Sequence, residues 1–341
     1  MLTPHDDSQW HQLPTTFDHV GTSDPRFFDR IWFAATDSAG RGTLQFTLGV
    51  YQNMNVVDGG IVVIAGGKQH NVRASRQLRP HYETACAPLS VEVIEPMQRL
   101  RLRVDPGDHG VGADLEWRAT MPAEEEPQQF ARRNGRIVED YKRYDQIGTC
   151  HGWVEVDGVR GDVDDWWACR DHSWGVRERV GIPEPVTSES EARTGSGFAF
   201  LFFFGGHVQV ARRGDSVSQS VVLDGVERHD HPVVMDVEYS DDIAPRRFRR
   251  GTFTIGDTRL ELDALGPAVA MTGLGYGGYD DGLGLGVYRG LHRVEHDVWD
   301  VSHPADVLYP DGGRDRPVHR IQPVRVVYNG VTGTGSLTFI S

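Results

Sequence analysis

The sequence predicts an all-β protein built as two antiparallel barrel or sandwich domains packed together, and three observations carry that prediction. About eight short strand-like runs follow one another over residues 31–120, with no helical period between them. The 40 Gly and 18 Pro supply the turns that such a meander needs. A chain of 341 residues exceeds most single cores and suits two domains of roughly 150–170 residues each. The expected division is 1–160 for an N-terminal barrel and 161–341 for a C-terminal one, with 161–196 as a crossing segment and loop.

Residues 1–30, broken by Pro4, Pro14 and Pro25, read as an irregular lead-in. Strands are expected at 31–35, 43–52, 60–65, 72–78, 89–94, 99–104 and 113–120. The 99–104 run (RLRLRV) alternates strictly, which turns Leu100, Leu102 and Val104 inward. Residues 121–134, acidic and polar, read as a short helix or a surface loop, and 143–159 resumes the strands up to the hairpin turn Asp157-Gly158. The stretch 181–196 has no period and reads as a surface insertion. Beyond it, 197–212, 221–226, 247–255, 259–265, 284–299 and 324–340 repeat the first half in outline, with turns at Asp224-Gly225 and Asn329-Gly330.

A net charge of −14 argues against nucleic acid or an anionic membrane as partner, because phosphate binding needs clustered Lys and Arg. The basic run 246–250 (RRFRR) reads as an exposed strand edge or turn. Three widely spaced Cys with no CxxC pair suggest neither a disulfide framework nor a zinc ribbon. The first ten residues lack the basic start and apolar run of a signal peptide. No apolar stretch approaches the ~18 residues of a membrane span. A cytoplasmic setting without membrane insertion is therefore expected. His292 and His296 lie in an alternating run, where four residues of strand separate them by ~13 Å, too far for one metal ion. The acidic Asp162, Asp164 and Asp165 lack the spacing of a calcium loop, so no metal is expected.

The chemistry concentrates in 161–177, GDVDDWWACRDHSWGVR, where Trp166, Trp167 and Trp174 crowd against Arg170, Asp171, His172 and Arg177. With Trp153 upstream, half of the eight Trp fall close together. Apolar rings packed against ionisable groups are a means of shifting pKa values. No GxSxG elbow, P-loop or dinucleotide fingerprint occurs, so common hydrolase and nucleotide readings lack support.

Three phrases in sequence, RYDQIG at 143–148, GWVEVDG at 152–158 and RDHSWGVR at 170–177, with GLGYG at 273–277 later, resemble one family. It is that of the two-domain lipocalin-like (calycin-like) proteins related to carotenoid 1,2-hydratases, tocopherol-cyclase-like proteins and lipocalin-type Diels–Alderases. The phrasing is most similar to bacterial relatives with an RDHSWG motif. The resemblance implies two packed barrels, an apolar small-molecule pocket and cofactor-independent chemistry, with no cofactor called for. It also implies Asp171 as proton donor, with Arg170, His172 and Trp174 in support. Where the family places a His after its Gly-rich phrase, this chain has Tyr279-Asp280-Asp281-Gly282.

Strand alternation separates the candidates. Asp171 and Ser173 share one face, and Arg170, His172 and Trp174 the other. If Asp171 faces a barrel interior it is the acid; if His172 does, the site suits base chemistry. Trp153, Trp166, Trp167, Trp174, Arg177 and Tyr276 are the candidate substrate-binding residues. The expected function is a hydratase/dehydratase, cyclase or isomerase acting by acid–base catalysis on a terpenoid, steroid-like or polyketide substrate. The alternative is a non-catalytic carrier of a hydrophobic small molecule, and a homodimer is compatible with either. A pocket of ~300 Å³ or more, lined by Trp with one inward carboxylate, is what the catalytic reading anticipates.

Overall fold

The computed structural model describes residues 2–340 apart from 8, 10, 12, 134, 179, 182–195, 214–215, 229–230 and 304–305. Among them lie two curled antiparallel sheets, of fifteen and ten strands. The first runs in space from Leu89–Glu95 through Arg99–Val104, Val111–Ala119, Arg136–Val156 and Val159–Val176 to Phe27–Thr36. It continues through Gly42–Tyr51, Val56–Ala65 and Lys68–Gln77 to His292–Asp300. The second places Ser196–Phe203 between Gly206–Arg213 and Val331–Ile340, followed by Arg320–Tyr328, Thr258–Ala264 and Phe248–Ile255. No helix among the described residues is long and apolar enough to cross a membrane.

Each sheet closes over its own core. Phe33, Phe46, Leu48, Ile61 and Trp117 fill the first. Leu201, Phe203, Phe253, Leu260 and Leu337 fill the second. A third apolar layer joins them. Trp32, Ala34, Ile147, Trp167 and Cys169, on the outer face of the first sheet, meet Phe200, Phe202 and Ile321 of the second. Period-two alternation produces this arrangement, because Phe200 and Phe202 point to the neighbour while Leu201 and Phe203 point to their own core. The apolar run 198–204 is thus a strand buried on both faces.

Three hairpin turns legible in the sequence are present, with both central residues in the left-handed region: Asp157 and Gly158 (φ 49° and 78°), Asp224 and Gly225 (53° and 73°), Asn329 and Gly330 (50° and 76°). Other expectations need correction. Residues 121–134 form neither a helix nor a plain loop: Glu124–Glu125 and Gln129–Arg133 pair with Arg136–Val156, covering an edge that would otherwise stand open. The 284–299 stretch is a strand only from His292, and it pairs with Lys68–Gln77. The chain therefore returns to the first sheet after building most of the second, and again an open edge is covered. Most of 161–176 is not a crossing. Val159–Val176 lies inside the first sheet, between Arg136–Val156 and Phe27–Thr36. Its Trp166 and Ala168 serve the first core while Trp167 and Cys169 serve the layer between sheets, an investment in two buried faces that a surface connector lacks. Most of the 181–196 insertion, residues 182–195, lies outside the described residues.

Candidate functional site between the sheets

The Val159–Val176 strand carries two sets of polar groups on opposite faces, split as alternation requires. Arg170 points to the first-barrel side and is fully buried. It donates to Gln146 Oε1 at 2.7 and 3.1 Å and to the Tyr144 hydroxyl at 3.1 Å, and its guanidinium stands 4.8 Å from the Trp117 ring. His172 follows on the same face, 3.2 Å from the Tyr144 hydroxyl and 2.7 Å from Asp29 Oδ1. Trp174 packs edge-on against both the Tyr144 and His172 rings and is 38% exposed. Gly175 has φ +132°, and a Cβ there would collide with the Asp140 carbonyl, so close strand approach requires the glycine.

The opposite face looks into the space between the sheets. Asp171 lies there directly across from Asp145 on the neighbouring strand and Trp32 on the other. It is partly exposed, yet its Oδ1 is shut off from solvent and has no hydrogen-bond partner among the described residues. Asp145 is 2% exposed and Glu126 is buried beside it. Arg143, two residues along, reaches Glu126 Oε1 at 2.5 Å and lies 3.7 Å from Asp145, with the Phe200 ring 5.0 Å away.

The carboxyls respond differently to this setting. Burial pushes Asp145 well above the usual carboxylate range; Arg143 pulls it back, and the neighbouring Glu126 and Asp171 charges add to the rise. Glu126 is also buried, but the Arg143 charge leads in opposing that and holds it low. Asp171 is raised by burial against the opposing pull of Arg143, Arg30 and Arg177. The arrangement is one ionised carboxylate anchored by an arginine, with two carboxyls beside it that resist ionisation, a set that titrates as a unit. His207, from the second sheet, sits at the same rim, and burial pushes its imidazole down to about 4.

The candidates from the sequence scatter accordingly. Trp167 is in the layer between sheets, but Trp166 packs on the first core and Trp174 lies with His172 behind the strand. Trp153, under the Arg160 guanidinium at 3.6 Å, is eight residues along the strand from Asp145, about 26 Å away. The expectation that Trp166 and Trp174 desolvate Asp171 therefore fails, since odd and even positions cannot share a face. Asp171 also faces the inter-sheet space, not a barrel interior. Tyr276 and Arg177 do reach that space: Arg30 stands 4.9 Å from the Tyr276 ring, and Arg177 lies 5.6 Å from both Phe28 and Tyr141. Sequence reasoning missed Glu126, Arg143, Asp145 and Arg30. The signal was available for two of them, because RYDQIG places Arg143 and Asp145 on one strand face.

The anticipated large pocket is not among the best-formed cavities. One of about 170 Å³ is lined by Gly40–Thr43, Ile64, Gly66, Gly67, Leu265 and Pro267, away from the carboxyls. One of about 10 Å³ touches Asp145, Ile147, Phe202 and His207. The second holds no more than a water. Among the described residues no three His, Cys, Asp or Glu side chains converge as a metal site would need.

Comparison with known proteins agrees with the fold. The model of a family of unknown function (DUF8625) matches residues 2–311, and the chain belongs to that family. No curated protein matches. Among solved structures, a candidate AttH (NE1406) of Nitrosomonas europaea shares 11% identity and a TM-score of 0.54 over 98% of both chains. Kievitone hydratase of Nectria haematococca overlaps at 8% identity and TM-score 0.44 over 94% of this chain and 92% of its own. CghA with Sch210972 overlaps at 10% and 0.47, over 93% and 89%. At 11% identity the likeness to the Nitrosomonas europaea structure speaks for the two-sheet fold alone.

Proposed function

For this member of a family of unknown function, we propose cofactor-independent acid catalysis on an apolar terpenoid, steroid-like or polyketide substrate, as a hydratase/dehydratase, cyclase or isomerase. The observation that carries this reading is the Asp145–Asp171 pair, two carboxyls side by side in a water-poor space, with oxygens that no described group satisfies. Burial raises both carboxyls above the range of an exposed Asp, near 3.9. Asp171 is the member with partial exposure and is therefore the donor. It protonates an alkene carbon or a departing hydroxyl, leaving a carbocation. The faces of Trp32, Phe200, Phe202 and Tyr276 border that space and suit a developing cation. Loss of a neighbouring proton or capture of water completes the reaction. Substrate enters from the side where Asp171, Tyr141, Arg177 and Tyr276 remain partly exposed.

The test begins with mass spectrometry of ligands that co-purify with the protein, followed by turnover assays on that scaffold. Asp171→Asn and Asp145→Asn should each lower turnover by ~10² or more while the ligand is retained. The wild-type rate should fall as pH rises and the pair ionises. Undiminished turnover in Asp171→Asn refutes the assignment, and a retained ligand that the wild type never converts identifies a binding protein instead.

A further inference from the structure

We infer that the ligand held between the sheets carries a carboxylate, received by Arg30 and Arg177 beside Asp171. This rests on the reading that the space takes a ligand, not on that ligand being converted. The chain as a whole has a net charge of −14, yet Arg30, Arg143 and Arg177 gather at one place in its interior. Arg143 is answered by Glu126. Neither Arg30 nor Arg177 forms an ion pair within 4.0 Å with any described carboxylate. Both instead lie over the Phe28 ring, at 5.5 and 5.6 Å. Arg30 is 4% exposed, with the Tyr51 hydroxyl beside it, and its Nε is sealed from solvent without a hydrogen-bond partner among the described residues.

The buried Arg30 guanidinium and the half-buried Arg177 guanidinium, both against Phe28, repel one another. Burial, and then the Arg30 charge, push Arg177 below the usual arginine range. Arg30 is favoured as a cation by Tyr276, Tyr51 and Asp171 in spite of its burial, whereas Arg177 has no described carboxylate in contact, and a cation left so is destabilising. The planar guanidinium fork matches a carboxylate in two-point contact. The walls around the pair are Phe28, Tyr141 and Tyr276, so the rest of the ligand is apolar. An anion bound there also disfavours ionisation of Asp171, keeping the acid charged with its proton while the ligand is in place.

Isothermal titration calorimetry on the full chain tests this, with octanoate, octan-1-ol and inorganic phosphate as probes. Octanoate should bind saturably, with octan-1-ol and phosphate each at least tenfold weaker. Arg177→Gln should weaken octanoate at least tenfold and melt no lower than wild type, and Arg177→Lys should recover part of the affinity. Asp171→Asn should keep or tighten octanoate binding, so failure of the acid assignment is read separately from failure of this one. Equal affinity for octan-1-ol or phosphate, an unaffected Arg177→Gln, or no octanoate binding overturns the inference.

Discussion

The two faces of Val159–Val176 differ in how completely their polar groups are partnered. Behind the strand, Arg170, Tyr144, Gln146, His172 and Asp29 form a chain in which each member has a hydrogen bond. In front, Asp171 Oδ1, both Asp145 oxygens, Glu126 Oε2 and the Nε atoms of Arg30 and Arg143 lie buried without one. The same backbone supports a satisfied network one residue away from an unsatisfied one. Satisfied buried networks fix structure, whereas unsatisfied groups persist when function needs them. The residues of the RDHSWG phrase therefore divide: Arg170 and His172 belong to the satisfied network with Trp174 packed at its edge, and Asp171 faces the space between sheets.

Substitutions can break that division. Trp167→Ala opens a hole in the layer joining the sheets and should cost about 3–5 kcal/mol, read from the shift in denaturation midpoint. Asp58, on the same outer face, is buried with Oδ1 unpartnered, and burial raises its carboxyl to about 7, against the pull of the Gly286 amide and Arg289. Its contribution to stability is present below the unfolded value near 3.8 and is lost as pH rises towards about 7. Asp58→Asn removes that loss, so denaturation series from pH 4 to 7 should shift in the variant's favour by up to about 4 kcal/mol. On the satisfied face, Arg170→Met strands the Gln146 carbonyl and should cost about 3 kcal/mol. If Arg170→Met is tolerated while Asp171→Asn unfolds the chain, the comparison is inverted. Trp174→Ala, at an exposed position with edge contacts only, should change stability by less than about 1 kcal/mol and leave turnover intact.

Much of this was legible in the residues. Turn pairs such as Asp157-Gly158 marked hairpins because their conformation demands those residue types. Alternation in RDHSWGVR by itself puts Asp171 opposite Arg170 and His172. What the sequence hid was pairing over distance. Asp145 meets Asp171 through strand register, and Glu126 joins them through two short strands in a segment too polar to read as β. The third apolar layer was equally hidden, since 198–204 looks alike whether it faces one core or two. Trp clustering misled for the same reason: nearness along a strand is not nearness on one face.

The central claim is that carboxyl groups between the sheets remain un-ionised at neutral pH. Difference infrared spectroscopy of wild type against Asp145→Asn at pH 7 tests it without any substrate. A protonated-carboxyl carbonyl band in the wild type, absent from the variant, is the predicted result. A spectrum in which the substitution removes only ionised carboxylate absorption would contradict the account.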